Sequence, residues 1–161
     1  MIHLDHGNGF ELAMQAFRAG FTSIMIDGSH SVFEENIAIT KSVVDVCHSA
    51  FVPVEAELGK VGGKEDDLDR LSEIRKVVSK PLVLHGTSGV PDDTVKECIK
   101  RGICKVNYAT DLRIAFTEGV KAVLAEKPDT IDPKKYNAEG RERVKAYVMS
   151  KILVCGSNNK A

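Results

Sequence analysis

Five short apolar runs in this chain each end on a residue that can bind a metal, move a proton or hold a phosphate. Ile2-His3-Leu4 leads into Asp5-His6, Ser23-Ile24-Met25-Ile26 into Asp27, and Val52-Pro53-Val54-Glu55-Ala56 into Glu57. Leu82-Val83-Leu84 leads into His85, and Ile103-Cys104-Lys105-Val106 into Asn107. Helix-like stretches separate most of these runs. Strand, polar terminus and helix in alternation is how a parallel α/β protein gathers a site at the carboxyl ends of its strands. The pattern therefore favours an enzyme over a binding module.

A length of 161 residues suits one domain, 1–161, with enough chain to bury a core. A net charge of −1 gives no electrostatic reason to expect nucleic acid or an anionic membrane as partner. The apolar runs are far too short to span a bilayer. Met1-Ile2-His3-Leu4-Asp5 lacks the basic-then-apolar order of a signal peptide, so the expected compartment is the cytoplasm. Cys47, Cys98, Cys104 and Cys155 are spaced neither as a zinc ribbon nor as a disulfide scaffold, and reduced, mostly packed thiols are expected.

Phe10, Ala13, Met14 and Phe17 make a helical stripe that Gly20 stops. Phe21 to Ile26 is too apolar for a strand with one wet face and fits a parallel sheet covered on both sides. Phe33 to His48 is predicted helical, with Ile37, Val44 and Cys47 facing inward, and Val52 to Leu58 is the next strand. A glycine loop, 59–63, leads into a helix over Leu68 to Val78. Pro81 introduces the strand 82–84, Pro91-Asp92-Asp93 starts a helix that Gly102 closes, and 103–106 is the last strand. Helices are expected over Leu112 to Ala125 and Arg141 to Leu153, with a turn at 132–136 between them.

Each strand end has two readings. Asp5-His6 offers a carboxylate and an imidazole on adjacent, opposite-facing positions, and is equally compatible with a turn aspartate beside a surface histidine. His85-Gly86-Thr87-Ser88-Gly89 is the stronger signal. Its glycines let backbone N–H groups approach an anion, with Ser88 as a further donor, although a glycine turn can merely reverse the chain. Asn107-Tyr108-Ala109-Thr110 repeats that logic one strand later, as in the phosphate site that barrels build after strands seven and eight. Asp27 could simply cap the turn at Gly28-Ser29, and Glu57 could pair with a lysine. An acid ending a buried strand is nevertheless costly unless it meets a metal or cation. His3, His30 and His48 are read as structural or surface residues.

Taken together, these segments closely resemble the class II, zinc-dependent ketose-bisphosphate aldolases of the fructose- and tagatose-bisphosphate type. The likeness runs in order through His3-Leu4-Asp5-His6-Gly7, residues 19–30, 33–36, 54–59, 62–67, 82–89 and 102–110, nearly the whole chain. It implies an α/β fold of the (β/α)8 TIM-barrel family, and reversible aldol cleavage of a ketose 1,6-bisphosphate, fructose or tagatose, through a zinc-stabilised enediolate. The products would be dihydroxyacetone phosphate and glyceraldehyde 3-phosphate. The resemblance gives Asp5 the proton exchange at the aldehyde oxygen and Glu65 the role of base at C1 of dihydroxyacetone phosphate. It makes His6 and His85 ligands of a catalytic Zn2+, and Asp27 and Glu57 holders of a second divalent metal or of the zinc's alternate location. Gly86, Thr87, Ser88, Asn107, Tyr108, Ala109 and Thr110 match the segments that bind the substrate's phosphate.

Departures from the family pattern accompany the match. The chain starts at what resembles the third strand, so an incomplete barrel of about five parallel strands is expected. After Asp67 the family continues through a βα unit carrying a third zinc histidine, whereas here Leu68-Asp69-Arg70-Leu71 follows at once. Thr87 stands where a glycine is usual. The alternative to a lyase is therefore a non-catalytic aldolase-like chain that binds phosphate ligands or stabilises a partner aldolase. Open strand edges predict self-association or a homo-oligomer.

Overall fold

In the computed structural model the chain is described over residues 1–57 and 66–160. It divides into two compact units, Met1–Gly62 and Gly63–Ala161. Among the described residues the five strands, in both units, pair in parallel. Glu65 and the glycine loop lie outside the described residues.

The first unit runs β1 (His3–Gly7), α1 (Gly9–Arg18), β2 (Ser23–Ile26), α2 (Phe33–Cys47), a 3-10 turn at His48–Ala50, and β3 (Val54–Ala56). Its sheet order is β1-β2-β3. β2 is the central strand and all four of its residues are buried, as its unbroken apolar run requires of a strand with both faces covered. Ile24 and Ile26 pack with Ala13 and Ala16 of α1 and with Val43 and Cys47 of α2. Each large aliphatic side chain in that cluster contributes about 1.5–3 kcal/mol by leaving water. The inward face of α2 differs from the expected one: Asn36, Val43 and Cys47 are buried while Ile37 is 51% exposed. The helix is turned so that the Asn36 amide donates to the Glu57 carbonyl oxygen at 2.8 Å. A buried amide with a hydrogen-bond partner is tolerated where an unpaired one would not be.

The second unit contains α3 (Asp66–Val77), β4 (Leu82–Leu84), α4 (Asp92–Lys100), β5 (Ile103–Val106), α5 (Thr110–Glu126) and α6 (Pro133–Val154). β4 and β5 pair side by side, Leu84 opposite Val106. The expected turn at 132–136 is instead the start of α6. The Asp132 carboxylate accepts the Lys134 N–H at 2.9 Å, and Pro133 occupies the first helical position, where its missing N–H costs nothing. α5 and α6 approach closely at Gly119 and Gly140: a Cβ on Gly119 would lie 2.7 Å from the Gly140 Cα. None of the four cysteines is in a disulfide: Cys47 and Cys98 are buried, Cys155 is half-buried and Cys104 is exposed.

Candidate functional site

In the first unit the three strand ends bring one imidazole and two carboxylates together. The β1–β2 register is regular at His3–Ser23 and Leu4–Ile24 and slips before Gly7–Ile26. Asp5 and His6 occupy that slip, and His6 has φ 54. A left-handed non-glycine residue in a bulge re-aims its side chain, so the simple alternation expected of Asp5 and His6 does not hold. His6 Nδ1 lies 2.9 Å from Asp27 Oδ2 and 3.4 Å from Glu57 Oε2. Asp27 and Glu57 each follow a strand directly, and their backbone N–H groups extend the ladder to the Gly7 and Ile26 carbonyl oxygens at 3.0 and 3.3 Å.

Asp27 is held from its other side as well. The Ser29 N–H and hydroxyl donate to Asp27 Oδ1 at 3.0 and 2.6 Å. Those bonds, aided by the His6 contact and opposed by burial, bring the Asp27 carboxyl down to about 2. His6 is shifted upward, chiefly by its bond to Asp27 and further by the charges of Asp5 and Glu57, against the effect of burial. Ser29 and Asn36 are the positioning residues that sequence reasoning missed. Asn36 carried a signal, since it lies on the same helical stripe as Val43 and Cys47.

The donor set fits a divalent cation. His6, Asp27 and Glu57 offer ligand atoms that all lie within 4.8 Å of one another. Glu57 Oε2 is buried and accepts no hydrogen bond among the described residues, even with His6 Nδ1 at 3.4 Å. Imidazole plus two carboxylates suits zinc or a similar divalent metal. A carboxylate bonded to one nitrogen of a ligating histidine fixes its tautomer.

In the second unit two adjacent turns come together at the ends of β4 and β5. His85 follows β4 and Asn107 follows β5, with Asn107 Nδ2 3.2 Å from His85 Nδ1 and 3.3 Å from Nε2. Gly86 has φ 66, which only glycine adopts without strain, and nothing fills the space where its Cβ would be. Thr87 is 1% exposed and donates its hydroxyl to the Asn107 carbonyl oxygen, tying one turn to the other. Its side chain is thereby committed to the protein, and what it offers a ligand is backbone. Ser88 Oγ accepts the Asp111 N–H at 3.3 Å and keeps its own hydrogen to donate. Ala109 precedes the first residue of α5, Thr110, so the positive end of that helix opens beside Asn107.

Comparison with known proteins follows the same segments. The family model described as fructose-bisphosphate aldolase class-II matches residues 1–69 and 67–160, two pieces that meet where the expected deletion falls. The YdjI aldolase of Escherichia coli K12 is 34% identical over 99% of this chain and 69% of its own, with a TM-score of 0.85. A Coccidioides immitis protein assigned as a fructose-1,6-biphosphate aldolase is 28% identical over 99% of this chain and 69% of its own, with a TM-score of 0.83. Fructose-bisphosphate aldolase of Campylobacter jejuni, at 18% identity and a TM-score of 0.80, shares the fold. The fold is that of the α/β TIM-barrel aldolases, here with five parallel strands among the described residues. Among the described residues no helix is long and apolar enough to cross a membrane.

Proposed function

The chain belongs to the class-II fructose-bisphosphate aldolase family, and on that premise we propose that its site serves reversible aldol cleavage of a ketose 1,6-bisphosphate. Fructose and tagatose forms are the substrate class, and dihydroxyacetone phosphate is the ligand of the two anion turns. The observation that carries this reading is the convergence of His6, Asp27 and Glu57 at three consecutive strand ends, with a buried carboxylate oxygen that accepts no hydrogen bond among the described residues.

In this reading His6, with Asp27 and Glu57, holds a divalent cation, while His85 carries a metal role by its match to the family. When bound there, such a metal would supply a Lewis acid at the ketone, so that a carboxylate could take the adjacent C–H proton. Glu65 is the proposed base and Asp5 exchanges the proton at the aldehyde oxygen. Asp5 is exposed at the slipped end of β1 and is therefore open to solvent or ligand. Gly86, Thr87, Ser88, Asn107, Tyr108, Ala109 and Thr110 bind the phosphate, chiefly through backbone N–H groups, the Ser88 hydroxyl and the start of α5. The working assembly in this reading is a homo-oligomer in the cytoplasm.

A second, non-catalytic reading is favoured by the two-piece family match, whose pieces overlap at 67–69, the place where the resemblance expects the segment with a third histidine to be missing. Three protein ligands and one open position are normal for catalytic zinc. A misplacement of about 1 Å can lower a rate roughly a hundredfold. The expected outcome for the isolated chain is binding of zinc and dihydroxyacetone phosphate with little turnover. A coupled assay with added zinc on fructose and tagatose 1,6-bisphosphates distinguishes the two. Robust turnover abolished by Asp5→Ala supports the lyase, and binding without turnover supports the non-catalytic reading.

A further inference from the structure

Behind the proposed anion turns of the second unit lies a side-chain network in which Asp111, Tyr147 and Lys151 have no role in the family likeness. Asp111, in the first turn of α5, accepts two hydrogen bonds at the same oxygen: the Gly89 N–H at 3.4 Å and the Tyr147 hydroxyl at 2.6 Å. Its own N–H donates to Ser88 Oγ at 3.3 Å. Tyr147 comes from α6, and its ring meets Tyr108 edge-on at a centroid distance of 6.1 Å. One helical turn further, Lys151 is only 17% exposed and lies 5.5 and 5.0 Å from the Tyr108 and Tyr147 ring centres. Its ammonium donates to Asp92 Oδ1 at 2.5 Å. α6 thus reaches the turn after β4 through Asp111, the turn after β5 through Tyr108, and the start of α4 through Asp92.

A carboxylate beside an anion site works against the anion by direct repulsion, so Asp111 needs a reason to be there. Its geometry supplies one. Gly89 sits at φ 80 in a turn that the Val90 N–H closes onto the Thr87 carbonyl oxygen at 3.0 Å, and its own N–H is the one that Asp111 takes. Asp111 grips the turn at two points, Ser88 and Gly89, and Tyr147 anchors Asp111 to a 22-residue helix. Ordering a binding turn before the ligand arrives removes part of the entropy cost of association. Burial, and then the bond to Asp111, push the Tyr147 phenol above the usual tyrosine range, so the hydroxyl keeps its proton to donate.

We propose that Tyr147 is a positioning residue for the phosphate-binding turn: by anchoring Asp111 it fixes Ser88 and Gly89 in the shape the ligand meets. The ligand half of this inference rests on the proposed function, which makes 86–88 part of the phosphate site. Tyr147 itself touches no ligand.

Tyr147→Phe is the decisive variant, because it keeps the ring against Tyr108 and removes only the hydroxyl. It is paired with Asp111→Ala and the double variant in a double-mutant cycle. The first readout is hydrogen exchange at the Gly89 amide in the ligand-free protein, followed by NMR. The second is the affinity for dihydroxyacetone phosphate and for inorganic phosphate, by calorimetry. Loss of one charge-assisted bond predicts roughly tenfold faster Gly89 exchange and roughly tenfold weaker binding for Tyr147→Phe. In the Asp111→Ala background the phenylalanine should have no further effect on either quantity. Additive effects would show that Tyr147 acts through packing alone, and unchanged Gly89 exchange in Tyr147→Phe would overturn the inference. Should Asp111→Ala fail to fold, the Gly89 amide in Tyr147→Phe decides. Wild-type protein that binds neither ligand would refute the proposed function, while the amide readout still judges Tyr147.

Discussion

In the proposed site the candidate atoms at the ends of β1, β2 and β3 are charged side chains, whereas at the ends of β4 and β5 they are mostly backbone groups and hydroxyls. The first cluster holds a histidine and two carboxylates within hydrogen-bond or ion-pair reach, Ser29 and Asn36 steadying the acids. The second needs no ionised group in the turns themselves, and its shape comes from glycines at positive φ, the buried Thr87 tie and the Asp111–Tyr147 brace behind. A metal site has to supply charge and ligand number, so its residues can be recognised by type. An anion site made of N–H groups has to supply shape, and shape is set by residues that never touch the ligand.

The largest expected effect breaks the comparison at its charged side. His6→Ala removes the imidazole common to both close contacts of the first cluster. Loss of outer-shell partners alone lowers metal affinity about 10–100-fold, so loss of a ligand should exceed that. Zinc titration by calorimetry, with phosphate binding measured in parallel, should show metal affinity collapsing while phosphate affinity holds. Metal affinity of the wild type should also fall in acid, because His6, shifted upward by Asp27, must lose its proton to bind. Equal zinc affinity in His6→Ala would remove the first cluster from the metal reading.

A pair of glycine variants sharpens the contrast at intermediate size. A Cβ on Gly28 would run into the Asn36 side-chain oxygen, and Asn36 holds the Glu57 carbonyl. A Cβ on Gly119 would meet the backbone of Gly140, 2.7 Å away, and force α5 from α6. Overpacking of this kind costs about 1–3 kcal/mol. Both Gly28→Ala and Gly119→Ala should lower the unfolding midpoint. Only Gly28→Ala should weaken zinc binding, and a Gly119→Ala variant with weakened zinc binding would show that the two regions are not separable.

The smallest effect is on pH. Burial first, then the Cys155 thiol, pushes the Tyr108 phenol upward, and burial with Asp111 does so for Tyr147. A phenol raised in the folded state contributes stability fully present below its unfolded value of about 10, and lost as pH rises from there through the folded value. Tyrosinate absorbance of the folded protein should therefore lag that of the denatured chain in an alkaline titration. Tyr147→Phe should reduce the lag. No lag in the wild type would mean the brace is wetter than its geometry indicates.

Much of the strand-end chemistry was legible because it follows local rules. Asp27 and Glu57 stand at strand ends, and the apolar run of β2 announced a strand covered on both faces. The start of α6 was misread from Asp132-Pro133, a pair that opens a helix as readily as it makes a turn when the aspartate finds an N–H to accept. The inward face of α2 was misjudged because Asn36 looks like a surface residue until the Glu57 carbonyl it serves is known. Tyr147 carried no local signal at all, since its partner Asp111 lies 36 residues away and only the packing of α6 brings them together.

The sequence by itself determined the parallel α/β order, the family, and the residue types at every strand end, because alternation, strand length and polar termini are properties of neighbouring residues. Only the tertiary structure decided that His6 leaves the strand's regular alternation to meet Asp27 and Glu57, and that Thr87 turns inward to tie two turns. It alone decided, too, that a tyrosine late in the chain bonds an aspartate beside the turn after β4. Those outcomes depend on register slips and helix placements, which balance the energies of many distant contacts and leave no trace in any one stretch of chain.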